Sequence, residues 1–214
     1  MLNGWFLKPK MKTPLITLLH LHGNEGYILT HYKYISPLVK HGYQIFMVDY
    51  SGFGFSEGVI TRENIISDAV SALAYLKSRP DVNGTTLAIY GQSLGAHYST
   101  VVGPLVQNDI DGMIIESPIT SFKGIAAYKI PVIGGIIMKQ GYYADKSIQG
   151  FHKPLLVIHS NEDKDAPFKM GKRIYDNANQ PKEFFEIRNC HCCGPIYYSN
   201  EISDRIKNMV GLKS

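Results

Sequence analysis

Residues 85–97 constrain the fold of this chain more than any other stretch of its sequence. The β-forming residues 85–90 run directly into the sequence Gly-Gln-Ser-Leu-Gly at residues 91–95, and a helix-compatible segment follows. This is the G-x-S-x-G pattern between a strand and a helix, where a sharp turn exposes the serine hydroxyl at the end of a sheet. The backbone N–H of Leu94 then lies at a helix N-terminus, where it can stabilise an oxyanion. The segment therefore predicts that Ser93 is a nucleophile.

A second G-x-S-x-G sequence occupies residues 54–58, but its context differs. The strand predicted at residues 44–50 has already ended, and residues 51–53 intervene as a loop. Glu57 follows Ser56 and would place negative charge where an oxyanion has to be stabilised. We therefore expect Ser56 to belong to a glycine-rich loop rather than to act as a nucleophile.

Strand-like and helix-like segments alternate along the 214 residues. Strands are predicted at residues 5–7, 15–21, 44–50, 86–90, 113–116, 155–159 and 184–187. Helices are predicted at residues 31–41, 64–77, 95–106 and 201–210. Such alternation predicts an α/β fold, with a mostly parallel central sheet and helices on both faces. Ligands of such sheets bind beyond the carboxyl ends of the strands. We expect a single domain over residues 1–214, with a short lid inserted at about residues 119–152.

A serine hydroxyl needs a base to take its proton and a third group to orient that base. The loop after the strand at residues 155–159 carries Asp163, and the loop after the last strand carries His191. These residues give the chain order Ser, Asp, His. We therefore predict that His191 is the general base and then the general acid. Asp163 is predicted to fix the tautomer of His191 and to stabilise its imidazolium.

Other residues compete for these two roles. Glu162 and Asp165 flank Asp163, and Glu116 ends an earlier strand. Asp163 is preferred because the spacing Asp-x-x-x-Pro after the strand, ending at Pro167, fits best. The remaining histidines are expected to be structural; they are His20, His22, His31, His41, His97, His152 and His159.

The loop after the strand at residues 15–21 begins with His22-Gly23-Asn24. In this position an H-G-x sequence can provide the second oxyanion donor. We assign that donor to the backbone N–H of Asn24, with the Leu94 N–H as its partner. The alternative for this segment is an ordinary turn.

The predicted lid insertion is rich in apolar residues. Its candidate pocket residues are Phe122, Tyr128, Ile133, Met138 and Tyr142. Apolar side chains above a cleft indicate an acyl or other hydrophobic group in the substrate. The alternative is a helix that packs its apolar face on the sheet.

Composition and charge exclude several other classes. The formal charge of +4 is mild and its basic residues are scattered, so no nucleic-acid partner is expected. The longest apolar stretches, residues 15–21 and 130–138, are too short to span a membrane. Residues 2–7 lack the features of a secretory signal, and a cytoplasmic setting is expected.

The three cysteines, Cys190, Cys192 and Cys193, are expected to be thiols beside the His191 loop. They do not suggest a disulfide framework. No second cysteine pair completes a metal site, so neither a metal nor an organic cofactor is expected. A further hypothesis is that oxidation of Cys190 or Cys192 disturbs His191.

Several segments together resemble the α/β-hydrolase superfamily over nearly the whole chain. The resemblance is strongest to its small-lid branch of serine-aminopeptidase-like hydrolases and acyl-protein depalmitoylases. The matching residues are His22-Gly23-Asn24-x-Gly26, Asp49-Tyr50-Ser51-Gly52-Phe53-Gly54-x-Ser56-x-Gly58, Gly91-Gln92-Ser93-Leu94-Gly95, Glu116-Ser117-Pro118, Ile158-His159-x-x-x-Asp163-x-x-x-Pro167 and His191.

The resemblance implies a serine hydrolase that cleaves a small-molecule acyl ester or thioester through an acyl-enzyme. An aminopeptidase-like hydrolase and a catalytically silent binding module are the alternatives. The chain departs from the family where Cys190 precedes His191 in place of glycine. It departs again at Ser160, where glycine is usual, and at Ser51, where arginine is usual.

Overall fold

The computed structural model describes residues 1–10, 14–131, 134–137 and 141–212. Its centre is a seven-stranded sheet in the order β1-β3-β2-β4-β5-β6-β7. The strands are β1 (Gly4–Leu7), β2 (Ile16–Leu21), β3 (Tyr43–Val48), β4 (Thr86–Gln92), β5 (Gly112–Glu116), β6 (Leu155–Ser160) and β7 (Lys182–Ile187). The edge strand β1 pairs antiparallel with β3, and all other neighbouring strands are parallel. The predicted α/β fold with a mostly parallel sheet is confirmed.

Helices cover both faces of this sheet. They are α1 (Ile28–Ile35), α2 (Arg62–Ser78), α3 (Leu94–Val106), α4 (Phe122–Lys129), α5 (Gly134–Ile137), α6 (Ala144–Ser147), α7 (Phe168–Asn177), α8 (Gly194–Tyr197) and α9 (Ser199–Met209). Short 3₁₀ helices lie at Ser36–His41, Gln107–Asp109 and Ile148–Gly150. Among the described residues, no helix is both long enough and apolar enough to cross a membrane.

The alternation of side chains along the strands explains the two layers of helices. Leu19 and Leu21 of β2 join the core cluster that includes residues of α2, α3 and α7. Ile16 and Leu18 point to the opposite cluster, which includes residues of α1 and α9. Because both faces are covered, all six residues of β2 are buried. Four of them are apolar, and the other two are Thr17 and His20.

The structure divides one predicted helix, and it contains helices that were not predicted, of which α7 is the longest. Residues 31–41 were expected to form one helix, but α1 begins earlier and a 3₁₀ helix containing Pro37 follows it. Gly42 ends this segment with a φ of 92°, as the glycine at that position indicated. Helix α7 was not predicted, because few of its residues are apolar. It buries Met170 and Ile174, which lie four residues apart on one face.

Candidate active site

The strand–turn–helix around Ser93 is present as the sequence indicated. Strand β4 ends at Gln92, helix α3 begins at Leu94, and Ser93 between them has φ 53° and ψ −110°. A non-glycine residue in such a conformation costs about 1–3 kcal/mol, which the surrounding structure has to offset. The Ser93 N–H donates to the Glu116 carbonyl at 2.9 Å and so fastens the turn to the neighbouring strand.

Glycine is required on both sides of this turn. A Cβ on Gly91 would lie 2.6 Å from the carbonyl oxygen of Gly95. A Cβ on Gly95 would overlap the carbonyl group of Leu21 at the end of β2. The elbow therefore packs directly against the strand that leads into the His22-Gly23-Asn24 loop.

Ser56, in the second G-x-S-x-G sequence, has a structural environment. Its hydroxyl donates to the Asp49 carbonyl at 2.6 Å and accepts from the Asn3 N–H at 2.8 Å. These two contacts connect the loop at residues 51–58 with β1 and with the end of β3. Neither contact involves a base that could activate the hydroxyl.

His191 and Asp163 lie in the loops after β7 and β6 and are directly hydrogen-bonded. His191 Nδ1 donates to Asp163 Oδ2 at 2.8 Å. Asp163 Oδ1 accepts from the backbone N–H groups of Asp165 and Ala166, each at 2.9 Å. The imidazole of His159 lies on the same carboxylate, with its Nε2 atom 3.4 Å from Oδ2. The Asp163 carboxylate is thus held on both oxygens and has one oxygen directed at His191.

The two flanking carboxylates have different partners. Glu162 Oε2 accepts from the Asn189 N–H at 3.0 Å. Asp165 Oδ1 accepts from Lys129 Nζ at 2.9 Å and is exposed. Of the three carboxylates in this loop, only Asp163 is hydrogen-bonded to the His191 side chain.

The electrostatics of this pair favour a charged carboxylate beside a basic imidazole. Burial raises the pKa of Asp163, but the hydrogen bonds from His159 and His191 outweigh it and lower the pKa overall. Burial lowers the pKa of His191, whereas Cys192 and Asp163 raise it, and the net shift is upward. Burial also raises the pKa of the Cys192 thiol. Cys192 is therefore neutral at pH 7, where Asp163 is the group that stabilises the imidazolium.

The His22-Gly23-Asn24 loop is fixed by two histidines and a tyrosine. The Tyr50 hydroxyl donates to the His22 carbonyl at 3.1 Å, and His22 Nδ1 donates to the Gly23 carbonyl at 2.7 Å. His31 Nε2 donates to the carbonyl of Glu25 at 2.7 Å. A Cβ on Gly23 would lie 3.4 Å from Ser93 Cβ, so the loop passes close to the serine.

The sequence did not indicate that His31 would lie beside Ser93. This histidine was expected on or near a surface helix, yet its exposed fraction is 7% and it lines the cleft next to Ser93. A Cβ on Gly23 would lie 3.0 Å from the His31 ring and 3.4 Å from Ser93 Cβ, so the loop after β2 brings His31 near the serine. No local pattern in the sequence signals this approach.

A cleft of about 530 Å³ lies beyond the carboxyl ends of the central strands. It contains Ser93, His191 and Asn24, and none of its described lining residues is aliphatic. Its charged lining residues include Glu25, Lys33, Asp165 and Lys129, and the last two form an ion pair. The described lining comprises Gly23, Asn24, Glu25, Gly26, Thr30, His31, Lys33, Tyr34, Ser93, Lys129, Asp165, His191 and Cys192.

The predicted lid residues lie elsewhere. Phe122 packs against His97 and Tyr98, with ring centroids 4.9 and 6.1 Å away. The Tyr142 ring also packs against Tyr98, with ring centroids 6.5 Å apart, and Tyr128 is 47% exposed. None of these three lines the cleft, so the alternative of a helix packing on the core describes α4 better. Ile133 and Met138 lie outside the described residues.

The cysteines differ from the expectation of three free thiols. Cys190 and Cys193 form a disulfide whose Cα atoms are 5.7 Å apart, within the usual range for such a bond. The tight turn around His191 brings them together. Cys192 is free and buried, and it lines the cleft.

Ligand atoms of Asp163, Asp165 and His191 lie within 4.8 Å of one another. Hydrogen bonds account for this proximity, because Asp163 binds His191 and Asp165 pairs with Lys129.

A mostly parallel sheet, a serine on a strand–turn–helix elbow and a histidine–aspartate pair at the same edge define an α/β-hydrolase. Residues 12–133, more than half of the chain, match the family model described as serine aminopeptidase, S33. The chain belongs to this family, and membership places it among the hydrolases.

Two curated relatives illustrate the similarity. The uncharacterized protein YfhR of Salmonella typhi is 33% identical over 196 residues, which cover 85% of this chain and 67% of YfhR. The lysophosphatidylserine lipase ABHD12 of Danio rerio is 28% identical over 214 residues, covering 89% of this chain and 53% of the lipase. The chain thus spans about two thirds of one relative and about half of the other.

Solved structures support the same fold. The esterase Pf2001 of Pyrococcus furiosus has a TM-score of 0.76 and 21% identity, covering 98% of this chain and 86% of the esterase. Est1E of Butyrivibrio proteoclasticus, solved with ferulic acid bound, has a TM-score of 0.76 and 16% identity, covering 97% of this chain and 93% of Est1E.

Proposed function

We propose that this protein is a serine hydrolase that cleaves carboxylic esters or thioesters, with Ser93 as nucleophile, His191 as base and acid, and Asp163 as the orienting carboxylate. The observation that carries the proposal is the 2.8 Å hydrogen bond from His191 Nδ1 to Asp163, in the loop that borders the cleft containing Ser93. Since Nδ1 carries the proton that Asp163 accepts, Nε2 is the unprotonated nitrogen, which can take the proton of the serine hydroxyl.

The reaction proceeds in two symmetrical halves. Ser93 Oγ attacks the acyl carbon while His191 Nε2 takes its proton, and the carbonyl oxygen becomes an oxyanion. Backbone N–H groups of Asn24 and Leu94 stabilise that oxyanion, and each such donor contributes about 10²–10³ in rate. His191 returns the proton to the departing alcohol or thiol. Water then attacks the acyl-enzyme with His191 again as base, which releases the acid and regenerates Ser93.

The lining of the cleft favours short or polar acyl groups. A buried CH₂ group gains about 0.8 kcal/mol on leaving water for apolar surroundings. The described lining offers glycines, a threonine, a tyrosine and charged side chains, but no aliphatic side chain. Similar proteins include a lipase, an esterase, and Est1E with ferulic acid bound. We therefore expect acetate and butyrate esters to be better substrates than palmitate esters.

The experiment combines a fluorophosphonate probe with p-nitrophenyl esters from acetate to palmitate. Wild type is compared with Ser93→Ala, and with Ser56→Ala as the control for the second G-x-S-x-G sequence. Labelling and turnover lost in Ser93→Ala but retained in Ser56→Ala support the proposal. A folded wild-type protein that neither reacts with the probe nor turns over any ester contradicts it and favours a catalytically silent binding module.

A peptidase acting on a free N-terminus is the second candidate, and one observation favours it. Such an enzyme needs a carboxylate near the nucleophile for the substrate α-amine, and both Glu25 and Asp165 line the cleft. Asp165 already pairs with Lys129, which leaves Glu25 as the better candidate. Turnover of leucine p-nitroanilide, abolished by N-acetylation of the substrate and by Glu25→Gln, would establish this activity in place of the esterase.

A further inference from the structure

Gln92, the second residue of the elbow sequence at residues 91–95, has no role in the proposed chemistry. Gln92 immediately precedes Ser93 and is fully buried. Its Nε2 atom donates to Glu116 Oε2 at 2.8 Å and to the Cys192 carbonyl at 3.3 Å. Cys192 follows His191 in the chain. The side chain next to the nucleophile is therefore bonded to the main chain next to the base.

Glu116 makes a second connection to the same loop. It is fully buried at the end of β5, and its Oε1 atom accepts from the Gly194 N–H at 2.6 Å. Its Oε2 atom accepts from the Tyr90 hydroxyl at 3.0 Å as well as from Gln92. A Cβ on Gly194 would lie 2.8 Å from Glu116 Oε1, so glycine permits this close approach. The main-chain carbonyl of Glu116 holds the Ser93 N–H, which joins the nucleophile to the same residue.

Hydrogen-bond polarity fixes the orientation of these groups. Because the Gln92 amide nitrogen faces a carboxylate, its Oε1 atom faces His20 Nε2, 2.9 Å away, and the imidazole has to donate. Burial lowers the pKa of His20 to about 3, so His20 is neutral with its proton on Nε2. The Gly194 N–H and the NH₂ group of Gln92 are donors only, and both are satisfied by an ionised Glu116.

The Glu116 carboxylate also interacts with the catalytic loop through its charge. Burial raises the pKa of Glu116, while the hydrogen bonds from Gln92, Gly194 and Tyr90 and the attraction of His191 oppose that rise. A buried carboxylate supported by three donors is costly to disturb, because each donor left unpaired would stay desolvated without a hydrogen-bond partner.

We propose that Gln92 and Glu116 are positioning residues, which hold the His191 loop in register with Ser93 through their bonds to the main chain at residues 192 and 194. This role rests on the proposed function of Ser93 and His191. It differs from a purely structural role because one anchor point is the residue next to the base and the other lies only three residues after it. Proton transfer by a general acid or base requires heavy atoms within hydrogen-bond reach, so a displaced imidazole loses rate even in a folded protein.

The leaving group of the substrate distinguishes positioning from stability. An alkoxide has to be protonated by His191 as it departs, whereas p-nitrophenolate departs without that help. A displaced His191 therefore lowers kcat/KM more for ethyl acetate than for p-nitrophenyl acetate. A smaller folded fraction lowers both values by the same factor.

The test compares Gln92→Met with Gln44→Met. Gln44 is also buried, and its Nε2 atom also donates to one side chain and one main-chain carbonyl, Thr17 Oγ1 at 2.6 Å and Asp81 O at 2.9 Å. It lies at the start of β3, away from the cleft. For Gln92→Met we expect kcat/KM to fall about 100-fold with ethyl acetate and about tenfold with p-nitrophenyl acetate. For Gln44→Met we expect equal, small losses.

If Gln92→Met does not fold, Glu116→Gln carries the same comparison, because its amide keeps the side-chain shape but replaces one acceptor by a donor. An equal loss with both esters in these variants overturns the positioning role and leaves the proposed function intact. A wild-type protein that hydrolyses neither ester and does not react with a fluorophosphonate overturns both.

Discussion

Asp163→Asn is the substitution whose consequence the geometry specifies in most detail. Asp163 Oδ1 accepts two backbone N–H groups, those of Asp165 and Ala166, and Oδ2 accepts from His191 Nδ1. The asparagine oxygen has to face the two backbone donors, so the amide NH₂ faces His191. His191 Nδ1 must then accept, and the ring proton moves to Nε2, which can no longer take the proton of Ser93.

The size of the effect follows from comparing the two amide orientations. With the oxygen towards the backbone, one charge-assisted bond is lost, which costs about 1.5–3 kcal/mol of stability. Turning the amide would leave two donors unsatisfied at about 1–3 kcal/mol each and would place NH₂ against them. The first orientation is therefore favoured, and the imidazole is trapped in the unproductive tautomer. The equivalent substitution in chymotrypsin-like proteases lowers kcat by about 10⁴, and we expect a loss of that order.

The assay is kcat/KM for p-nitrophenyl acetate, measured on proteins whose thermal unfolding confirms the native fold. Asp165→Asn and Glu162→Gln are the matched controls, because both carboxylates lie in the same loop but bond Lys129 and the Asn189 N–H instead. We expect these controls to remain within about threefold of wild type, as is usual for exposed polar groups. An Asp163→Asn variant within tenfold of wild type, or an Asp165→Asn variant equally impaired, would refute the assignment.

Three further outcomes are expected. The charge and hydrogen bond of Asp163 raise the pKa of His191 and the base acts when neutral, so kcat/KM should rise with pH, with a midpoint above the ordinary value of 6.5. A midpoint at or below 6.5 would contradict this. Gly95→Ala should destabilise the fold by several kcal/mol, because its Cβ would overlap the Leu21 carbonyl, and denaturant unfolding measures this. Thr61→Ala removes the side-chain cap of α2 and should cost about 0.5–2 kcal/mol with kcat unchanged; a lower kcat would show coupling to the site.

The sequence was sufficient for the fold class and for the elbow. Periodicity and glycine positions are local signals, because they reflect which side chains face the core and where the backbone approaches itself. Gly91 and Gly95 indicated the turn, and alternating strands and helices indicated the parallel sheet. The strand at residues 5–7 was predicted, but its antiparallel pairing at the edge of the sheet was not, since pairing depends on strand order. Helix α7 was not predicted, because it has few apolar residues.

For the candidate site too, the sequence identified some of the residues correctly and assigned others to the wrong place. Chain order and loop position nominated Ser93, Asp163 and His191, and the structure brings the last two into direct contact. The sequence also nominated Phe122 and Tyr142 for an apolar pocket, but they pack on Tyr98, because an apolar residue in an insertion is equally suited to cover the core.

The tertiary structure alone decided which residues surround the reacting groups. His20, Gln92 and Glu116 lie far apart in the chain, and they meet because β2, β4 and β5 are adjacent in the sheet. Strand order and the path of each crossover determine such convergence, and neither leaves a local pattern in the sequence. The sequence by itself therefore determined the kind of fold and the residues suited to its chemistry. Their partners, and the polar character of the described part of the cleft, depend on contacts between segments that only the folded chain brings together.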